Sequence, residues 1–183
     1  DYRPQMATVR PHVFEKAERR TGAPAKLVRE ELSIQPAIAD LKKILGETLH
    51  EGGAGTFSNS HIIITGGRGV KSREGFGLLH ELARLIGAAV GATRAAVDLG
   101  WIPYAHQIGQ TGLTVRSKIY IACGVSGQVQ HLVGMKNCQC VISINIDENA
   151  PITKLADIAV VGDLAQVIPE MIAFVKREKG LPE

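Results

Sequence analysis

The chain has 183 residues, 45% hydrophobic and 21% charged, which suffices to bury a core and matches an ordinary globular domain rather than a disordered one. Its formal charge of +3 is small and its basic and acidic residues are interleaved, so it lacks the basic stripe of a nucleic-acid binder. No apolar run approaches the ~20 residues of a membrane span, and an odd cysteine count argues against a disulfide framework and for a reducing compartment.

Residues 1–24 mix prolines and charges without a period and read as a linker. AKLVREELSI (25–34) alternates like a strand, and PAIADLKKILGETLH (36–50) places Ile38, Leu41, Ile44, Leu45 and Leu49 on one helical stripe. GGAGTFSNS (52–60) is a polar, glycine-rich loop. From His61 the pattern becomes repetitive. HIIIT (61–65) reads as a β-branched strand, followed by a helix from 74 to 89 whose apolar face carries Leu78, Leu79, Leu82, Leu85 and Ile86.

ATRAAV (92–97) is the next strand candidate. KIYIAC (118–123) is another, with QVQHLVGM (128–135) as its helix; CVISINI (140–146), ADIAVV (156–161) and a closing helix over 164–178 complete the series. Pro169 lies about a turn inside that last helix, where a small kink is tolerable. Strands without polar alternation, separated by helices, predict an α/β fold: a doubly wound, mostly parallel sheet with helices on both faces. Ligands of such sheets gather beyond the carboxyl ends of the strands, where strand order reverses.

The segments at those ends decide the chemistry. GGRGVKS (66–72) satisfies neither dinucleotide fingerprint nor P-loop, since Ser72 stands where the last glycine belongs and Val70 precedes Lys71. It keeps glycines that let backbone approach an anion, and Arg68 and Lys71 to neutralise one. GVSGQ (124–128) imitates a nucleophile elbow but ends in Gln128, and a base five residues along the same helix is not a triad arrangement. HELAR (80–84) lacks the second histidine of a zinc helix, and the C-x-C of Cys138 and Cys140 lacks a second pair, so no metal site is expected. Ser126, Gln128, Gln130 and His131 fall in the first turns of one predicted helix, and HQIGQTG (106–112) adds Gln107, Gln110 and Thr111 in a long polar loop. With Arg68 and Arg94, these neutral groups describe a cradle for a polar ring system attached to a pyrophosphate.

These residues resemble the alpha subunit of electron transfer flavoprotein, in its C-terminal FAD-binding domain. The resemblance runs through the GGRG loop, GATRAAVDLG (91–100), QIGQTG (107–112), YIACGVSGQVQHLVGMK (120–136), ISINIDENAPI (142–152) and ADIAVVGDL (156–164). RPQMATVRP (3–11) resembles the end of the family's N-terminal domain. The resemblance therefore implies a linker and domain remnant over 1–24, a lead-in over 25–60, and a Rossmann-like FAD-binding domain over 61–183, without the preceding domain.

The same resemblance implies an extended FAD. By the family pattern Arg68 contacts the cofactor; Thr93, where many members have serine, and Ser126 lie on the phosphate side. Arg94 lies against the isoalloxazine. Gln107, Gly109, Gln110 and Thr111 line the ring and ribityl, with Thr111 nearest the reactive nitrogen, and Gln130 and His131 face the pyrimidine end. Asn145, Asp163 and Leu164 hold the adenosine. Departures are Gln128, where a small residue is frequent, and a longer approach over 36–50.

As implied function, the chain carries electrons through an anionic flavin semiquinone and hydroquinone, without a catalytic residue or turnover of its own. Its implied partners are the beta subunit in a heterodimer, acyl-CoA or similar dehydrogenases as donors, and a quinone oxidoreductase or other acceptor. The expected setting is bacterial or archaeal cytoplasm, with the mitochondrial matrix as the alternative. Because fold does not dictate function, a nicotinamide- or thiamine-cofactor enzyme domain and a cofactor-free scaffold are the competing readings.

Overall fold

A computed structural model describes residues 60–182, together with 3–9, Phe14, Glu18, Gly22, 26–29 and Phe57. The chain divides into two compact units, Asp1–Val13 with Gly52–Glu183, and Phe14–Glu51. In the second unit residues 26–29 are exposed and outside any strand; the rest of the strand expected over 25–34 and the helix expected over 36–50 lie outside the described residues. Most of the 52–60 loop does too.

The first unit is built on five strands, β1 (Ile62–Gly66), β2 (Ala89–Ala92), β3 (Ile119–Cys123), β4 (Cys140–Asn145) and β5 (Ile158–Val161), in the order β2-β1-β3-β4-β5. Every pairing is parallel. The helices are α1 (Arg73–Ile86), α2 (Arg94–Asp98), α3 (Val129–Met135), α4 (Pro151–Leu155) and α5 (Leu164–Glu178). Two apolar clusters flank the sheet, one centred on Phe76, Leu79, Leu82 and Ile168, the other on Ile63, Tyr120, Val125 and Ile152. That two-sided burial explains why the central strands read as unbroken apolar runs. Each large aliphatic or aromatic side chain fully buried there contributes on the order of 1.5–3 kcal/mol.

Two of the boundaries that differ from the sequence reading have a direct physical cause. α1 ends at Ile86 rather than Ala89, because Gly87 takes φ +69°, a left-handed cap that turns the chain straight into β2. The strand expected over 92–97 is instead Ala89–Ala92, and Thr93 caps a short helix, α2, that begins at Arg94. The small residues Ala89, Gly91 and Ala92 are all buried, so a strand hidden by low β-propensity is held by its place against β1. α5 spans 164–178 as expected, with Pro169 inside it.

Candidate functional site

The order of strands reverses between β1 and β3: the chain leaves β1 for the β2 side and returns to add β3, β4 and β5 on the other. At this switch point the connections after β1 and β3 would diverge, but here they are pressed together. Gly67 N–H donates to the Cys123 carbonyl (2.9 Å) and Gly69 N–H to the Gly124 carbonyl (3.0 Å). A Cβ on Gly67 would lie 2.3 Å from the Gly124 oxygen, and one on Gly69 2.7 Å from the Gly124 Cα. Only glycine backbones fit at that distance, which is the physical reason for Gly67, Gly69 and Gly124 in the GGRG and GVSG stretches.

Above this contact lies a cavity of about 890 Å³, lined from the ends of β2, β1, β3 and β4. Four adjacent strand ends span three inter-strand gaps, about 14 Å, so the site suits an elongated ligand. Arg68, exposed on the turn after β1, lines it, as do Thr93 and Arg94 after β2. Arg94 Nε pairs with Asp98 Oδ2 at 3.3 Å, and both side chains are largely exposed. The Thr93 hydroxyl is buried without a hydrogen-bond partner. Such a group is costly to bury unless something else meets it.

The opposite wall is the 107–113 loop. Ile108 N–H donates to Ala92 O (2.9 Å), so the loop continues the β2 edge. Gln110 N–H donates to Gln130 O (2.7 Å), and Leu113 N–H to Gln107 O (2.7 Å). Gln107 Nε2 donates to Thr111 Oγ1 at 2.9 Å, and the Tyr104 hydroxyl donates to the Thr111 carbonyl. Gln107, Gly109, Gln110 and Thr111 all line the cavity.

Ser126, Gln130 and His131 line it from the β3 side. Ser126 is exposed and precedes the helix, whose first residue is Val129, so it sits on the connecting turn and not in a helical turn as the sequence suggested. His131 is buried, with Nδ1 3.0 Å from the Ile108 carbonyl and Nε2 2.9 Å from the Tyr120 hydroxyl. A carbonyl only accepts, so Nδ1 carries the proton; burial holds the imidazole below its ordinary pKa and therefore neutral, leaving Nε2 to accept from Tyr120. Both ring nitrogens are committed, and neither addresses Ser126.

Asn145 lines the cavity at the end of β4, yet its Nδ2 donates to Val125 O (2.8 Å) and its Oδ1 accepts from Asp147 N–H (3.1 Å). It ties the β3 and β4 connections together. Asp163 and Leu164 line a smaller neighbouring depression of about 260 Å³, reached past Gly69, which borders both. Asp163 caps α5 by accepting from Ala165 N–H (3.0 Å) and stands 3.6 Å from Lys71 Nζ. Eleven of the thirteen residues expected at the site thus line one cavity, and these two lie beside it.

Gln128, read from its spacing as part of the cradle, lines the cavity too, and Asp147 and Pro151 line it without having been singled out. Gln128 departs from the family pattern, and Asp147 follows β4 within the ISINIDENAPI stretch, where no role was assigned to it. Tyr104 and Tyr120 were missed because their partners, Thr111 and His131, are 7 and 11 residues distant. Elsewhere, Glu81 of HELAR pairs with Lys176 (3.1 Å), Cys123 is buried with its thiol pushed up to about 12, and no metal cluster occurs among the described residues. No helix among them is long and apolar enough to cross a membrane.

Residues 56–136 match the sequence model of the electron transfer flavoprotein FAD-binding domain. The chain is 46% identical to an electron transfer flavoprotein subunit alpha of Megasphaera elsdenii, over 99% of the chain and 54% of that protein. It is 49% identical to a protein FixB of Clostridium saccharobutylicum, over 96% and 52%, and 45% identical to an electron transfer flavoprotein subunit alpha of Bacillus subtilis, over 90% and 50%. The chain spans about half the length of the curated relatives it matches.

Proposed function

Because the chain belongs to the electron transfer flavoprotein alpha-subunit family, whose FAD-binding domain it carries, we propose that the cavity at the carboxyl edge of its sheet holds FAD and that the chain acts as an electron carrier. Bound FAD would supply the redox chemistry; the protein supplies position and electrostatics. The observation that carries the reading is the cavity itself. It runs across the ends of four strands, it joins two exposed guanidinium groups to a wall of neutral amides and hydroxyls, and it contains a buried hydroxyl, that of Thr93, awaiting a partner.

In this reading Arg68, Thr93 and Ser126 hold the phosphates, and Arg94 faces the ring. Gln107, Gly109, Gln110 and Thr111 line the ring and its chain, Gln130 stands beside them, and Asp163 and Leu164 receive the adenosine in the adjoining depression. His131 and Asn145 act by fixing walls, since their polar atoms are engaged by Ile108, Tyr120, Val125 and Asp147. The cavity wall is mostly neutral amides and hydroxyls, with both ring nitrogens of His131 engaged, which favours carriage of electrons over substrate conversion.

The whole protein, of which the relatives' length suggests this is a part, would pair with a beta subunit. It would take electrons from acyl-CoA or similar dehydrogenases and pass them to a quinone oxidoreductase or another acceptor, in the cytoplasm of a bacterium or archaeon. Within the chain, 61–183 forms the FAD-binding domain, 25–60 its lead-in and 1–24 a linker. The test is co-expression with the partner subunit and purification. A yellow protein that releases FAD on denaturation is the expected result; a colourless protein stabilised against heat by NAD or thiamine diphosphate, and not by FAD, would overturn the reading.

A further inference from the structure

The hydroxyl of Thr111 can either donate or accept, and which it does toward a ligand depends on what its neighbours leave free. Its neighbour is fixed. Gln107 is buried, and its Nε2 lies 2.9 Å from Thr111 Oγ1. An amide nitrogen only donates, so Thr111 Oγ1 is the acceptor of that bond and its own proton must leave in another direction. Thr111 is exposed and lines the cavity, whereas its carbonyl is held by Tyr104 and its loop by the Gln110–Gln130 and Ile108–His131 bonds. The backbone is pinned, and the Gln107 bond takes one lone pair of the hydroxyl and keeps its proton from pointing at the carboxamide.

We propose that Gln107 is a positioning residue that acts through Thr111, occupying one lone pair of its hydroxyl and turning the hydroxyl proton away from the carboxamide and into the cavity, where it favours a lone-pair acceptor on the ligand. The inference rests on the FAD reading only for the identity of that ligand. A ring nitrogen with a free lone pair fits the requirement, and a donated hydrogen bond becomes stronger as the ring gains negative charge. Gln107 therefore favours uptake of the first electron without touching the atom that receives it. Restricting the rotor beforehand saves part of the entropy of ordering it on binding.

Two measurements test this, one without cofactor. In the cofactor-stripped protein, NMR of the Gln107 side-chain amide is expected to show one proton shifted and slowed in exchange, and Thr111→Val is expected to abolish the difference. An amide insensitive to Thr111→Val would mean that the carboxamide oxygen faces Thr111, and the proposal would be overturned. In the flavin-loaded protein assembled with its partner subunit, Gln107→Leu is expected to lower the equilibrium constant for uptake of the first electron by about fivefold, the worth of one hydrogen bond. In a Thr111→Val background the same substitution is expected to change nothing. An equal loss in both backgrounds would assign Gln107 a general packing role and overturn the coupling. Should the protein carry no flavin at all, the functional reading fails while the amide measurement still decides the polarity of Thr111.

Discussion

The imidazole of His131 gives its Nδ1 proton to the carbonyl of Ile108 at 3.0 Å, and so joins the helix after β3 to the loop that extends β2. Tyr120 closes the other nitrogen at 2.9 Å. Burial lowers the folded pKa of His131 below its ordinary 6.5, so the unfolded chain binds this proton more readily than the folded one. The stability it contributes is complete above 6.5 and is lost as pH falls from there through the folded value. Urea unfolding across that range is expected to show stability falling with pH. His80 is shifted in the same direction, so the part of the slope removed by His131→Gln is the measure; an unchanged slope would clear His131. Tyr120→Phe, which leaves Nε2 unpaired, is expected to cost about 1–3 kcal/mol.

Arg94 offers the cavity a positive charge that Asp98 partly cancels at 3.3 Å. Because both groups are largely exposed, solvent screening brings the worth of that charge to about 1 kcal/mol, nearer the aqueous than the buried limit. Arg94→Ala is expected to lower the one-electron potential of bound flavin by on the order of 40 mV. Asp98→Asn is expected to raise it by a smaller amount. Dye-equilibrated spectroscopic titration reads both, and shifts of the same sign in the two variants would remove the pair from the electrostatics of the site.

Gly67 packs against Gly124 beneath the site, and a methyl on Gly67 would meet the Gly124 carbonyl. Both partners are backbone, so relief requires the β1 and β3 connections to separate. Gly67→Ala is expected to cost about 1–3 kcal/mol, an overpacking penalty, and to weaken FAD binding as the cradle opens. Equilibrium unfolding and flavin titration measure the two effects. A variant with parental stability would show that the loops part without resistance.

What the sequence made legible follows from how far each signal reaches along the chain. Ile62–Gly66, Ile119–Cys123 and Cys140–Asn145 are buried on both faces and announce themselves as apolar runs. β2 did not, because Ala89–Ala92 is built from small residues and its strand character comes from pairing with β1. The Thr-Arg step was read as strand although a threonine before a helix is a start signal. At the site, motif resemblance named residues but not their commitments. Nothing local to Asn145 or His131 reveals that Val125, Asp147, Ile108 and Tyr120 occupy their polar atoms, since those partners are brought in by the fold.

Thr93 separates a structural role from a ligand role by the sign of one substitution. Its hydroxyl is buried and unpartnered at the cavity wall, so in the empty protein it carries a desolvation cost that nothing offsets. Replacing it with valine removes that cost at nearly constant shape. Thr93→Val is therefore expected to leave the cofactor-free protein equally stable or more stable, by up to about 1 kcal/mol, while weakening FAD binding by about fivefold for one lost hydrogen bond. A purely structural hydroxyl would do the reverse, destabilising the empty protein and sparing affinity. Urea unfolding of the stripped protein and fluorescence titration with FAD give the two signs independently, and stability and affinity falling together without a difference between them would assign Thr93 to the scaffold.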